Sequence, residues 1–125
     1  PHQDPRQINR LLRKQLKKLC PPTVKLEIED GHGAEAYHVP PTGPMAQAAL
    51  EALSEAFGHE PVLLREGGSI PIINEFKKVL GADSLLLGLA LPDDNLHSPN
   101  EKFDLDCFHN GAEMSARLWP KLGAL

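Results

Sequence analysis

The spacing of apolar and polar residues predicts four helices along the chain. Between Asp4 and the Pro21-Pro22 pair, apolar side chains recur at helical spacing, which predicts an amphipathic helix over 5–20 that Asp4 caps. Three further apolar stretches end at residues that stop helices, namely Gly58, Gly81 and Pro120. The helices predicted from these stretches cover 44–57, 69–80 and 103–119.

Three shorter apolar segments predict strands. Residues 24–29 alternate strictly between apolar and polar, which is typical of a strand with one solvent-exposed face. Residues 62–64 and 84–91 are apolar without alternation, which favours strands covered on both faces. With the helix over 69–80 between them, the last two segments predict a βαβ unit with a parallel sheet and a right-handed crossover.

The predicted fold class is therefore α/β: a βαβ unit with flanking helices, preceded by a helix-strand piece of an α+β layer. Residues 30–44 are dense in glycine and proline and predict a linker. We expect two structural units, 1–40 and 41–125.

Composition limits the class of protein. The chain has 125 residues, of which 41% are hydrophobic and 24% charged, so it can form one core of ordinary globular type. No run approaches the roughly 20 apolar residues of a membrane span. Cys20 and Cys107 lie far apart without C-x-x-C spacing, which argues against a disulfide framework and favours a reducing, cytoplasmic setting. Because residue 1 is proline, we expect a processed or trimmed start.

Charge is distributed unevenly. Residues 1–20 contain six Lys/Arg and one acid, whereas residues 21–125 contain the other seven of 13 Lys/Arg and the other sixteen of 17 Asp/Glu. A basic segment can indicate nucleic-acid binding. A solvated outer face of an amphipathic helix is the better interpretation, because no aromatic residue is interleaved for base stacking.

Two polar stretches follow predicted strands and form the candidate site. Residues 65–71 (REGGSIP) follow one strand and residues 92–101 (PDDNLHSPNE) follow its predicted parallel neighbour. Since ligands bind beyond the carboxyl ends of parallel strands, both stretches are expected at the same sheet edge. The Gly67-Gly68-Ser69 segment predicts either an anion cradle or a tight turn in which Ser69 caps the next helix.

His97 has three interpretations: metal ligand, general acid or base, or hydrogen-bonded loop histidine. Asp93, Asp94 and Glu101 supply candidate oxygen ligands or acceptors that orient the ring. One histidine with a few acids does not complete a zinc site, which needs three or four protein ligands. Ser98 beside His97 does not predict a nucleophilic pair, and the chain contains no nucleophile elbow, P-loop or dinucleotide motif. The remaining histidines are interpreted as surface or packing residues: His2, His32, His38, His59 and His109.

The two motifs, in this order and about twenty residues apart, closely resemble the C-terminal part of the M20 family of dinuclear zinc metallopeptidases, in its dipeptidase and carnosinase-like branch. The resemblance extends over the whole chain. Residues 1–30 resemble the last helix and strand of the lid or dimerisation domain, and residues 44–125 resemble the second half of the catalytic domain. It implies a hydrolase that cleaves dipeptides or short peptides, neither nucleic acid nor membrane as a partner, and homodimer formation through the lid.

The resemblance also implies roles for individual residues. His97 matches a histidine that ligates one of the two zinc ions, and Gly68 with Ser69 matches the turn that holds the substrate's C-terminal carboxylate. Supporting roles follow for Arg65, Glu66, Gly67, Asn100 and Glu101.

The chain departs from the family pattern in what it lacks. No Glu-Glu pair is present to match the glutamate general base. The H-x-D segment His2-Gln3-Asp4 lies in the part that resembles the lid, so it does not match the other zinc ligands, which the family supplies from its catalytic domain. We therefore expect a C-terminal fragment of a longer enzyme, without catalytic residues of its own and inactive alone. The alternative is a non-enzymatic interaction or scaffold domain that binds a partner through its basic N-terminal helix.

Overall fold

A computed structural model describes residues 2–31, 33–66 and 70–125, and within them the chain forms four α-helices. These are α1 (Pro5–Leu19), α2 (Pro44–Phe57), α3 (Ile72–Leu80) and α4 (Leu105–Gly123). The chain divides into two compact units. The first combines residues 1–39 with 66–84 and contains α1 and α3, and the second combines residues 40–65 with 85–125 and contains α2 and α4.

The predicted α/β fold is wrong. No β-strand occurs in the described ranges, and residues 24–29, 62–64 and 84–91 form neither a ladder nor a helix. An apolar segment becomes a strand only when a neighbouring strand pairs with its N–H and C=O groups, and alternation alone does not supply that neighbour. The segment at 62–64 is also not covered, because its side chains are 62–76% exposed. The βαβ unit, the parallel sheet and the α+β layer are therefore absent from this part of the chain.

The helix predicted over 5–20 is confirmed as α1, because residues next to each end determine where it starts and stops. The Asp4 carboxylate accepts the Arg6 N–H (2.8 Å), and proline occupies the first helical position. The segment that follows the helix contacts it again at Asp30. Asn9 Nδ2 and Arg13 Nη1 of α1 donate to the Asp30 carboxylate at 2.9 and 2.6 Å. The first unit therefore uses a polar contact to hold the segment that follows α1.

Helix α3 ends where the sequence predicts. Gly81 adopts the left-handed conformation (φ 68°) that a helix C-cap often requires. The predicted start at Ser69 lies outside the described residues, and the helix begins at Ile72. Asn74 anchors it within the first unit by donating to the Glu35 carbonyl oxygen at 2.7 Å.

Helices α2 and α4 pack against each other through small side chains and form the core of the second unit. A Cβ added at Gly111 would clash with the Leu89 side chain, so the helix backbone approaches Leu89 closely at this point. Met114 of α4 is buried in this core, whereas Trp119 is 72% exposed. The helix also continues through Pro120 to Gly123. The α2 residues buried in this core are Ala46, Ala48, Ala49 and Ala52.

Ion pairs connect the same two helices at the surface. Arg117 Nη1 lies 3.2 Å from Glu55 Oε2, and Lys121 Nζ lies 3.2 Å from Glu51 Oε2 and 2.9 Å from Glu55 Oε1. The hydrogen bond from Lys121 holds the pKa of Glu55 below its usual range, with Arg117 adding to the effect. Helix α4 is thus fixed on α2 by packing and by charge.

None of the helices in the three described ranges combines the length and apolar composition that crossing a lipid bilayer requires.

Candidate active-site loop

Asp94 closes the loop that leads into α4. The Leu91 N–H donates to Asp94 Oδ2 (2.8 Å), and the Asp94 N–H donates to the Leu91 carbonyl oxygen (3.1 Å). From the other end of the loop, the Lys102 N–H donates to the Asp94 carbonyl oxygen (3.0 Å) and Lys102 Nζ donates to Asp94 Oδ1 (3.1 Å). Four hydrogen bonds therefore converge on one residue and hold both loop ends together.

The tip of this loop is a turn that carries His97. The Ser98 N–H and hydroxyl both donate to the Asn95 carbonyl oxygen, at 3.0 and 2.7 Å. His97 is the third residue of the turn and has φ 61°, and Asn95 and Asn100 have φ 54° and 61°. Positive φ is uncommon outside glycine, although asparagine and histidine tolerate it better than most residues. The loop thus contains three left-handed residues within six positions, a local concentration of backbone strain.

The His97 side chain is exposed, and no residue of the described ranges hydrogen-bonds to its ring. Of the acids proposed as its neighbours, Asp93 pairs with Lys102 (3.1 Å) and Asp94 is committed to closing the loop. Within the residues described, no group of three or more His, Cys, Asp or Glu side chains is placed to hold a metal ion. The loop therefore presents one imidazole without assembling a complete metal site around it.

Asp94 is the one polar side chain that the described residues bury completely (0% exposed). Its hydrogen bond from the Leu91 amide holds its pKa below the usual range, Lys102 adds to the effect, and burial opposes it. The pKa of Lys102 is raised, first by its hydrogen bond to Asp93 and then by that to Asp94. A lowered carboxyl pKa and a raised ammonium pKa both mean that the folded loop favours the charged forms.

The second predicted stretch is described only in part. Gly67, Gly68 and Ser69 lie outside the described residues, so the anion cradle stays a prediction. Arg65 belongs to the second unit and Glu66 to the first. The sheet edge that was expected to bring this stretch beside the His97 loop does not exist in the described chain.

Two surface grooves of the described chain are lined by residues outside this loop. One, about 400 Å³, runs beside α2 and is lined by residues that include Gln47, Ser54 and Leu63. The other, about 520 Å³, lies on α1 and combines Asn9 and Asp30 with basic side chains. The basic residues that line it are Arg6, Arg10, Arg13, Lys14 and Lys17. Neither groove is lined by His97.

Sequence reasoning missed the pairing of Asp94 with Lys102. The cluster of proline, aspartate and asparagine at 92–95 does predict a tight turn. Nothing in the pattern distinguishes the buried Asp94 from the exposed Asp93, and the partner lysine lies eight positions further on.

Comparison with known proteins gives the loop a family context. Residues 8–121 match the model of peptidase family M20/M25/M40. The chain belongs to this peptidase family. The match covers both motifs and all four helices apart from the first turn of α1 and the last residues of α4.

The curated relatives of this M20 chain include dipeptidases. It is 38% identical over 99 residues to the Cys-Gly metallodipeptidase of Candida albicans, a match that covers 79% of this chain and 20% of the relative. It is 42% identical over 69 residues to the Cys-Gly metallodipeptidase of Saccharomyces cerevisiae (55% of this chain, 14% of the relative). It is 32% identical over 78 residues to the human Beta-Ala-His dipeptidase (62% and 15%).

The matches confirm the predicted family and its dipeptidase branch, and they show a peptidase relationship. The chain spans a fifth or less of the length of these relatives. No solved structure matches it.

Proposed function

We propose that this chain forms one wall of the active site of a metal-dependent dipeptidase, in which His97 ligates one of two zinc ions. The observation that carries the proposal is the exposed imidazole at the tip of a strained loop whose base is fixed by Asp94. Strained backbone persists only where the surrounding structure holds it, and it concentrates at ligand-binding and active sites. Membership of a peptidase family agrees with this reading.

The described residues can supply one ligand of a zinc site, but not a complete site. A neutral imidazole is a good zinc ligand, and His97 offers its ring to solvent. The described residues gather no further set of ligands around it. We propose that the other ligands and the general base come from elsewhere in the protein that contains this chain, and we expect the chain alone to be inactive.

Bound zinc would supply a water of lowered pKa for attack on the peptide bond. The residues of this chain would help to bind the metal and would orient the substrate. His97 would present its lone pair from a fixed turn, and Gly68 with Ser69 would hold the substrate's C-terminal carboxylate through backbone N–H groups. We assign supporting roles to Arg65, Glu66, Gly67, Asn100 and Glu101.

The proposal is tested on the intact protein with dipeptides of the kinds that the relatives' names give, Cys-Gly and Beta-Ala-His. We expect hydrolysis that stops when a chelator removes the metal and returns when zinc is added. Hydrolysis that persists after the metal has been removed completely, as checked by elemental analysis, would contradict the metal-dependent assignment.

Two further parts of the proposal concern domains and assembly. We propose a lid piece at 1–40 and a catalytic piece at 41–125, with homodimers formed through the lid. The apolar stripe of α1 supports pairing, because Leu11, Leu12 and Leu19 are 51–66% exposed. Replacing Leu12 with glutamate should shift the intact protein from dimer to monomer in light scattering, and an unchanged dimer would place the interface elsewhere.

A cytoplasmic location is also proposed. It rests on Cys20 and Cys107, which are both free thiols.

A second candidate function is binding of an acidic partner by α1. The basic groove on this helix favours it, since only Arg13 of its cations pairs with the neighbouring Asp30 in the described structure. Such binding should weaken steeply with salt and weaken further when Arg10 is replaced with glutamine. Metal-dependent peptidase activity without salt-sensitive partner binding would reject this second function.

A further inference from the structure

We infer that Asp94 and Lys102 are positioning residues that hold the His97 turn in its metal-binding geometry. The inference rests on the proposed function of His97 as a metal ligand. It goes beyond that function because it assigns a role to two residues that do not touch the metal.

The first observation is the convergence of both loop ends on Asp94. Its carboxylate and backbone together bind Leu91 before the loop and Lys102 after it, through contacts of 2.8 to 3.1 Å. Residues 95–101 between them are then confined by a closed base. His97 lies near the middle of this confined segment.

The second observation is that the side chain at the centre of these contacts, the Asp94 carboxylate, is a buried charge. Asp94 and its hydrogen bonds to Leu91 and Lys102 are called the clamp below. Removing a carboxylate from water is costly unless hydrogen bonds and an opposite charge compensate for it. Asp94 is fully buried and has both kinds of compensation, since Oδ2 accepts the Leu91 N–H and Oδ1 accepts Lys102 Nζ. Both oxygens are used within the loop, so the carboxylate acts through the geometry of the loop rather than as a ligand.

The third observation is the strain at the tip. His97, Asn95 and Asn100 all have positive φ, a backbone conformation that non-glycine residues adopt only at a cost in free energy. Opening the base would let these residues relax to negative φ and would turn the imidazole away from its present direction. The clamp therefore maintains a ligand orientation that the isolated segment would not favour.

The test compares two lysines that each bridge two carboxylates. Lys102 bridges Asp93 and Asp94 at 3.1 Å, and Lys121 bridges Glu51 and Glu55 at 3.2 and 2.9 Å on the same unit. Zinc affinity is measured by chelator competition on the intact protein carrying Lys102→Met or Lys121→Met. Lys102→Met should weaken the His97-dependent zinc by roughly 10- to 100-fold, the range found when groups that orient metal ligands are removed. Lys121→Met should leave zinc affinity unchanged, even if it lowers the melting temperature.

Two further variants keep the result interpretable. Lys102→Arg keeps the positive charge and can still reach both carboxylates, so it should keep most of the wild-type zinc affinity. Asp94→Asn should weaken zinc binding as Lys102→Met does. In cobalt-loaded protein, the visible spectrum of Lys102→Met should differ from wild type because the ligand direction changes, whereas that of Lys121→Met should not. If Lys102→Met and Lys121→Met have equal zinc affinities and equal spectra, the positioning role is wrong.

The same measurements distinguish a failure of the positioning role from a failure of the proposed role of His97 as a metal ligand. If His97→Ala retains all of its zinc, the ligand assignment itself fails. If His97→Ala loses one zinc ion while Lys102→Met and Asp94→Asn bind it normally, only the positioning role fails.

Discussion

Replacing His97 with glycine should leave the folded chain as stable as before or slightly more stable. His97 has φ 61°, and an L-residue in this region costs roughly 1–2 kcal/mol. Glycine removes that cost but loses about 0.5–1 kcal/mol of backbone entropy on folding. The exposed imidazole makes no hydrogen bond in the described structure that the substitution would remove. The net change in unfolding free energy is therefore a gain of about 0 to 1.5 kcal/mol.

Leu96 provides the matched control in the same turn. It is 58% exposed and does not have positive φ, so glycine at this position relieves no strain and costs about 0.5–1 kcal/mol. The two variants should differ by about 1–2 kcal/mol, which corresponds to several degrees in melting temperature for a chain of this size. Thermal unfolding of the full chain in a chelator, followed by circular dichroism, measures the difference without a metal contribution. If His97→Gly loses as much stability as Leu96→Gly, the left-handed assignment is wrong.

Two other consequences can be checked on the chain. Because the pKa of Asp94 lies below its usual range, its contribution to stability is complete above the ordinary aspartate value of about 3.9 and is lost as pH falls through the lower folded value. The Leu91 amide proton should therefore shift in NMR spectra only in that acidic range, and a shift centred near pH 6 would contradict the hydrogen bond. Gly111→Ala should lower the unfolding free energy by about 1 kcal/mol through its clash with Leu89. An increase of similar size, as helix propensity alone would give, would show that Leu89 moves aside freely.

Local signals predicted the helices well, whereas contacts between distant segments were not predictable from the pattern. The start of α1 at Asp4-Pro5 and the ends of α2 and α3 at Gly58 and Gly81 depend on a few adjacent residues, and all were confirmed. Strand formation at 84–91 depends on a pairing partner that the apolar pattern cannot identify. The end of α4 was missed for a different reason, because packing and ion pairs to α2 hold the helix through its proline.

The loop shows the same division between local and distant information. The turn residues and the exposed His97 could be located from the motif. The role of Asp94 could not, because it depends on a hydrogen bond back to Leu91 and an ion pair forward to Lys102. Sequence reasoning grouped this acid with Asp93 as a candidate partner of the ring, whereas the fold uses it to close the loop.

The central claim, that His97 holds a metal ion, is tested most directly by the zinc content of the intact protein. His97→Ala is compared with wild type and with His59→Ala, which removes another exposed histidine of the same unit. We predict that His97→Ala loses one of its two zinc ions together with nearly all dipeptidase activity, while His59→Ala keeps both ions and the full rate. Full zinc content and full activity in His97→Ala would contradict the account.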